Sequence, residues 1–189
     1  TLASEALPVP LDEASADLLA EGAAQAGIAR LPWSKGQAQL RERIAFLRKV
    51  GAADWPDLCD AELARTARQW LAPFIAGKTT LAAIDAETLG QALEALLSWT
   101  QRQRLEADAP THFEAPTGMR HAIDYDGENA PALHIRVQEL FGLELHPAIA
   151  GGKLPLTLYL LSPAHRPIQV TRDLPGFWKG SWSAVKSEM

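Results

Sequence analysis

Four constellations in this chain have the residue types that chemistry requires. "AGKTT", Ala76 to Thr80, looks like the end of a phosphate-binding loop, in which backbone amides cradle phosphate and a lysine reaches its outer oxygens. The loop needs a first glycine at position 72, where Ala72 stands, and a preceding strand, where the pattern is helical; Lys78 therefore reads as a solvated residue in a helix-to-helix turn. Ser183 and Lys186 have the S-x-x-K spacing of serine acylases, but the serine-aspartate-asparagine and lysine-threonine-glycine companions are missing, which leaves a polar helix face. The histidines, His112, His121, His134, His146 and His165, all fall in the second half; none stands at i, i+4 with another and Cys59 is the only cysteine, so surface or turn positions are expected and no metal site. No G-x-S-x-G elbow is present, so no catalytic residue is assigned.

The fourth constellation is the tail "LLSPAHRPIQVTRDLPGFWKGSW", Leu160 to Trp182. The chain carries a formal charge of −5, and its first thirty residues set Glu5, Asp12, Glu13, Asp17 and Glu21 against Arg30 alone. From Gly151 onward Lys153, Arg166, Arg172, Lys179 and Lys186 face only Asp173 and Glu188. Phosphate contacts depend on Lys and Arg, so any such contact should concentrate in this basic end, with Arg166, Arg172 and Lys179 as the candidate cations. Trp178 and Trp182 flank Lys179, an aromatic-with-base arrangement that suits either packing or stacking on unpaired bases, with Trp178 the candidate platform.

The elements that must hold these residues follow from periodicity. Up to about residue 109 apolar residues recur at helical spacing between breakers. Asp12 to about Gln25 is one helix. Leu40, Ile44 and Leu47 stripe a second, ended by Gly51, with Arg41, Arg43, Arg48 and Lys49 largely off the stripe. Asp60 is the expected N-cap of a third, carrying Leu63, Ala67, Trp70 and Leu71 and stopped by Pro73. Asp85 caps a fourth with Leu89, Leu93, Leu96 and Leu97. Trp70 and Trp99 are expected in the core, and Trp33 and Trp55 at helix ends.

Beyond Pro110 the period shifts towards two, giving strands at 112–115, 119–125, 132–136, 154–161 and 167–172, a short helix in "VQELFG", a type II turn in "LPGF" and a final helix from Trp182 to Met189 capped by Ser181. The expected fold is therefore α+β: a helical subdomain over 1–109 and, over 110–189, a small, mostly antiparallel β half ending in a helix.

Composition agrees with a folded chain: 189 residues, 47% hydrophobic and 22% charged. One cysteine gives no internal disulfide and points to a reducing, cytoplasmic setting. The longest apolar run, "LPLTLYLL", is too short for a bilayer, which takes about 20 residues, so no membrane partner is expected. Thr1 in place of methionine suggests an excised piece.

The segments "LPWS", "DWPDL", "WLAPFIAG", "APTHFEAPTG", "RVQELFGL" and the run from Ile149 to Met189 resemble the C-terminal region of HrpB-type bacterial ATP-dependent helicases, relatives of the DEAH-box RNA helicases. The resemblance runs from about Leu31 and is most specific in the last forty residues. It implies a parent whose ATPase domains lie upstream, with ATP and Mg as the cofactors of that core. No complete Walker A, D-E-x-H box or helicase arginine motif stands in these residues, so no cofactor and no catalytic residue is carried onto this stretch. Gln138, Glu139, Arg166, Gln169, Thr171, Arg172, Phe177 and Trp178 match characteristic family segments without an assigned role. The function implied is a non-catalytic accessory module that helps hold single-stranded RNA or another nucleic acid beside the upstream helicase domains. The alternative is an interaction or docking module that braces that core, and an independent hydrolase is a third reading.

Overall fold

The computed structural model describes residues 12–51 and 54–188. Met189, the expected end of the last helix, lies outside them. Among the described residues 12–48 and 54–98 form one compact unit, and 49–51 with 99–188 form another.

The first unit is helical. Its elements are α1 (Glu13–Ala26), α2 (Lys35–Lys49), α3 (Asp60–Arg65), α4 (Ala67–Trp70) and α5 (Ala86–Ala95), joined through 3-10 turns at Ile28–Arg30, Ala72–Phe74 and Leu81–Ala83. The Asp12 and Asp85 side chains accept from the backbone N–H groups of Ser15 and Thr88 and so cap α1 and α5 as expected. Those N–H bonds hold both carboxyls below the usual aspartate range. α1 turns a strip of small residues, Ala16, Ala20 and Ala23, into the core, which lets α3 and α4 approach closely. Leu63, Ala67, Trp70 and Leu71 are all buried beneath it.

Three sequence expectations change here. Asp60 is the first helical residue of α3, and the cap is Cys59, whose sulfur accepts from the Glu62 N–H at 3.5 Å. Asp57 in turn accepts from the Cys59 N–H, so the acid sits one step further out. The single helix expected over 60–71 breaks at Thr66, whose hydroxyl donates back to the Glu62 carbonyl at 2.7 Å and disturbs the backbone ladder. Arg43 is buried rather than off the apolar stripe, alongside Ile44 and Leu47.

The second unit begins with α6 (Trp99–Asp108), which the sequence reading groups with the helical half. Trp99 is 70% exposed, contrary to its expected place in the core: it opens a helix that buries only Leu105. Then follow β1 (His112–Glu114), β2 (Arg120–Ala122), β3 (Ala132–Arg136), a 3-10 turn at Val137–Leu140, β4 (Ala148–Ile149), β5 (Leu154–Pro155), β6 (Thr157–Leu161), β7 (Pro167–Thr171), α7 (Leu174–Lys179) and α8 (Ser181–Glu188). β1–β2, β4–β5 and β6–β7 pair antiparallel, and β3 lies parallel to β6, giving a three-stranded sheet of order β3-β6-β7. The fold is the α+β arrangement that periodicity implies, with one parallel pair inside it.

Alternation decides what this sheet buries. Leu133 and Ile135 of β3 and Leu158 and Leu160 of β6 are fully inside, with Leu140, Leu156, Leu174 and Phe177 around them. The opposite face is open: His134 is exposed, Tyr159 is half-buried and Val170 is 52% exposed.

Candidate nucleic-acid interface

The basic end is built on β6, β7 and the two last helices. The turn from β6 to β7 closes through the Ser162 N–H to the Arg166 carbonyl (2.8 Å), the His165 N–H to the Ser162 carbonyl (2.9 Å) and the Arg166 N–H to the Ser162 hydroxyl (3.1 Å). His165 takes the left-handed backbone, φ 58°, that so tight a reversal needs. Pro167, without an N–H, is tolerated because β7 is an edge strand.

Past β7 the chain enters α7 rather than the expected type II turn. Asp173 caps the helix, accepting from the Gly176 N–H at 2.9 Å, and Pro175 sits in the first turn, where its missing N–H would be unpaired in any case. His146 holds this entry in place: its Nδ1 accepts from the Leu174 N–H at 3.1 Å while its Nε2 donates to the Leu156 carbonyl at 2.7 Å.

Arg166, Arg172 and Lys179 are exposed, and none has a carboxylate partner among the described residues. Elsewhere Arg41, Arg48, Arg65, Arg68, Arg104 and Arg136 each pair with one, to Asp60, Asp57, Glu62, Glu21, Asp108 and Glu139. Arg172 is oriented by its Nε, which donates to the Thr157 hydroxyl at 2.8 Å. Arg166 and Arg172 flank β7 at its two ends, about 20 Å apart at the usual strand rise, so the structure does not gather the expected cations into one pocket. Beside Arg166 a cleft of about 540 Å³ is lined by the 162–168 turn and by Val185 of α8.

Trp178 is half-buried on α7. Its indole N–H donates to the Leu143 carbonyl at 3.1 Å, and its ring lies 5.9, 5.3 and 5.6 Å from Phe141, Phe177 and Trp182. Of the two roles open to it, packing has its partners here.

A pair of rings that sequence reading passed over occupies the open face of the sheet. His134 and Tyr159, cross-strand neighbours in the parallel pair, stack with centroids 4.5 Å apart and planes 15° from parallel. Tyr159 in turn faces Val170 of β7. These side chains, with Leu161, Pro167 and Ile168, line a shallow groove of about 370 Å³. The signal was present in "ALHIR" and "TLYLL", where both rings take the alternate position to the leucines. The pairing of two strands 25 residues apart in register was not readable from them.

The remaining histidines serve the fold. His121 Nε2 lies 2.5 Å from the buried Glu139 carboxyl, which also accepts from Arg136 Nε at 2.7 Å. Burial works to raise the Glu139 carboxyl, but these two hydrogen bonds and the charges behind them outweigh it and hold it below the usual glutamate range. His121 and His146 are therefore internal connectors rather than surface groups. Among the described residues no three His, Cys, Asp or Glu side chains form a metal-binding group. At "AGKTT" the Lys78 N–H donates to the Ile75 carbonyl at 3.0 Å, and helix α4 stands where a phosphate loop needs a preceding strand.

Comparison with known proteins decides the family. Residues 70–189 match the HrpB_C family, described as ATP-dependent helicase C-terminal. The chain belongs to this HrpB-type helicase C-terminal family. It is 40% identical over its whole length to the ATP-dependent RNA helicase HrpB of Escherichia coli K12, of which it spans 24%. Two solved structures resemble it: the E. coli DExH-box NTPase HrpB, with a TM-score of 0.85 and 40% identity over 97% of this chain and 23% of that one, and the E. coli DEAH/RHA helicase HrpB, with 0.80 and 37% over 98% and 24%. The chain thus corresponds to about a quarter of these relatives.

Proposed function

We propose that this C-terminal helicase region is a non-catalytic accessory module that holds single-stranded RNA beside the helicase domains of its parent. The observation that carries the reading is the set of exposed cations at the basic end. Arg166 and Arg172, flanking β7, and Lys179 of α7 have no carboxylate partner among the described residues. Unpaired cations on an edge strand and the helix after it are available to phosphates. ATP and Mg belong, on this reading, to the upstream core.

A second reading, a docking module that braces that core, is favoured by Phe141, 48% exposed on the four-ring cluster with Trp178 and Trp182. Titrating the chain with labelled single-stranded RNA at low and moderate salt separates the two. Saturable binding that weakens with salt supports the accessory role. No binding at either salt concentration gives preference to docking.

A further inference from the structure

We propose that the open face of the β3-β6-β7 sheet is a base-stacking site for single-stranded nucleic acid, with the His134–Tyr159 pair as its platform and Arg172, at the end of β7, as its phosphate contact. The inference deepens the accessory reading and rests on it.

Geometry supplies the platform. His134 is exposed, stacks on Tyr159 and has no hydrogen-bond partner or other ring contact among the described residues. A surface imidazole without a partner of its own, held parallel to a neighbouring phenol, offers a preordered π-face. Any nucleobase can extend such a stack, because every base has a flat face of its own. The Tyr159 hydroxyl accepts from Asn129 Nδ2 at 2.8 Å, which fixes the tilt of the pile. Strands lie about 4.8 Å apart, so the two rings sit one and two strand spacings from β7.

Charge supplies the direction. Val170 and Arg172 lie on the same side of β7 as Tyr159 occupies on β6, and the hydrogen bond of Arg172 to Thr157 confirms that side for the guanidinium. No carboxylate stands among the outward positions of the three strands. Glu139 is held by Arg136 and His121, and Asp173 is spent on its helix cap. The acidic loop with Asp124, Asp126 and Glu128 reaches the hydroxyl end of Tyr159 through Asn129. It bounds the platform there and leaves the β7 side, with Arg172, as the side on which phosphates are stable. Bases then lie across the sheet over Val170, Tyr159 and His134. Trp178, committed to the Leu143 carbonyl and three rings, is not part of the site.

The test titrates the full 189-residue chain with a labelled oligouridine of about 12 nucleotides, the matching deoxyoligonucleotide and an RNA duplex. His134→Ala and Tyr159→Leu should each weaken single-strand binding about 5- to 150-fold, the range for loss of one stacked base, with an unchanged salt slope because stacking releases no counterions. Tyr159→Phe, which keeps the ring, should bind like the parent chain. RNA and deoxyoligonucleotide of similar affinity fit a site that reads bases and phosphates; RNA binding alone adds a 2′-hydroxyl contact to the same platform. A photocrosslink from thiouridine-substituted RNA, mapped on the unsubstituted chain, does not depend on any variant folding and should fall in the 132–136 or 157–161 segment. Crosslinks confined to the Trp178–Trp182 region, or folded His134→Ala and Tyr159→Leu chains with full affinity, overturn the platform while the accessory reading stands. A parent chain that binds no single strand removes both, and a peptide bound along β7 in its place makes this face a protein site.

Discussion

Trp70 spans two structures at once: its ring is buried between α1 and the turns after α4, and its indole N–H reaches back to the Leu63 carbonyl at 2.8 Å. Its outer neighbour Trp33 lies near-parallel at 6.3 Å, under the Arg41 guanidinium. Trp70→Ala should cost about 3–5 kcal/mol in denaturant unfolding, the cost of emptying a packed aromatic site. Glu139 makes the complementary case with a charge. Its carboxyl is depressed in the folded chain, so the stability it contributes is fully present above the ordinary glutamate value near 4.3 and is lost as pH falls through the lower folded value. Glu139→Gln should therefore destabilise by about 1–3 kcal/mol at neutral pH, with the gap to the parent chain closing below about pH 4. Unfolding midpoints measured at pH 7 and pH 3 check both the size and the sign.

Helix α7 shows how an element is made from few residues. It has six residues, a Pro in its first turn and a single side-chain cap, Asp173, so its start depends on that carboxylate. Asp173→Ala should cost about 0.5–2 kcal/mol in thermal unfolding of the chain. Trp178→Ala should cost about 1–3 kcal/mol, because the indole bridges α7 to the Leu143 carbonyl and the ring cluster. If that variant instead melts like the parent chain and loses single-strand affinity, Trp178 is the stacking residue. At this scale periodicity told most of the story: α1, β3 and β7 lie within a residue or so of the expected bounds, because each combines a clear period with a capping or turn residue. "LPGF" was misread because Pro-Gly serves a type II turn as well as a helix entry, and only the Asp173 cap and the His146 contact select the helix. Cys59 was overlooked as a cap since sulfur is a weak acceptor and an aspartate stood next to it. Trp99 was misplaced because its leucine neighbours belong to α5 and the segment after it. The four candidate site residues were visible as a basic run, but the His134–Tyr159 stack depends on a parallel pairing between distant strands, which no local pattern encodes.

For the whole molecule, the family and the three-dimensional match agree that this is the C-terminal region of a helicase of the HrpB type. The P-loop-like "GKT" lies in a turn whose lysine amide is already bonded, so calorimetry with Mg-ATP should register no specific heat; saturable binding abolished by Lys78→Ala would contradict this. The central claim concerns the basic end and is tested most directly by salt. Single-strand affinity of the parent chain and of an Arg166→Gln, Arg172→Gln, Lys179→Gln variant should be measured across a range of salt concentrations. Each phosphate contact on a single strand contributes about 0.7 to the slope of log affinity against log salt, so the variant should bind more weakly with a slope reduced by about 2. A folded variant that keeps both the affinity and the slope of the parent chain would show that these cations do not hold the strand.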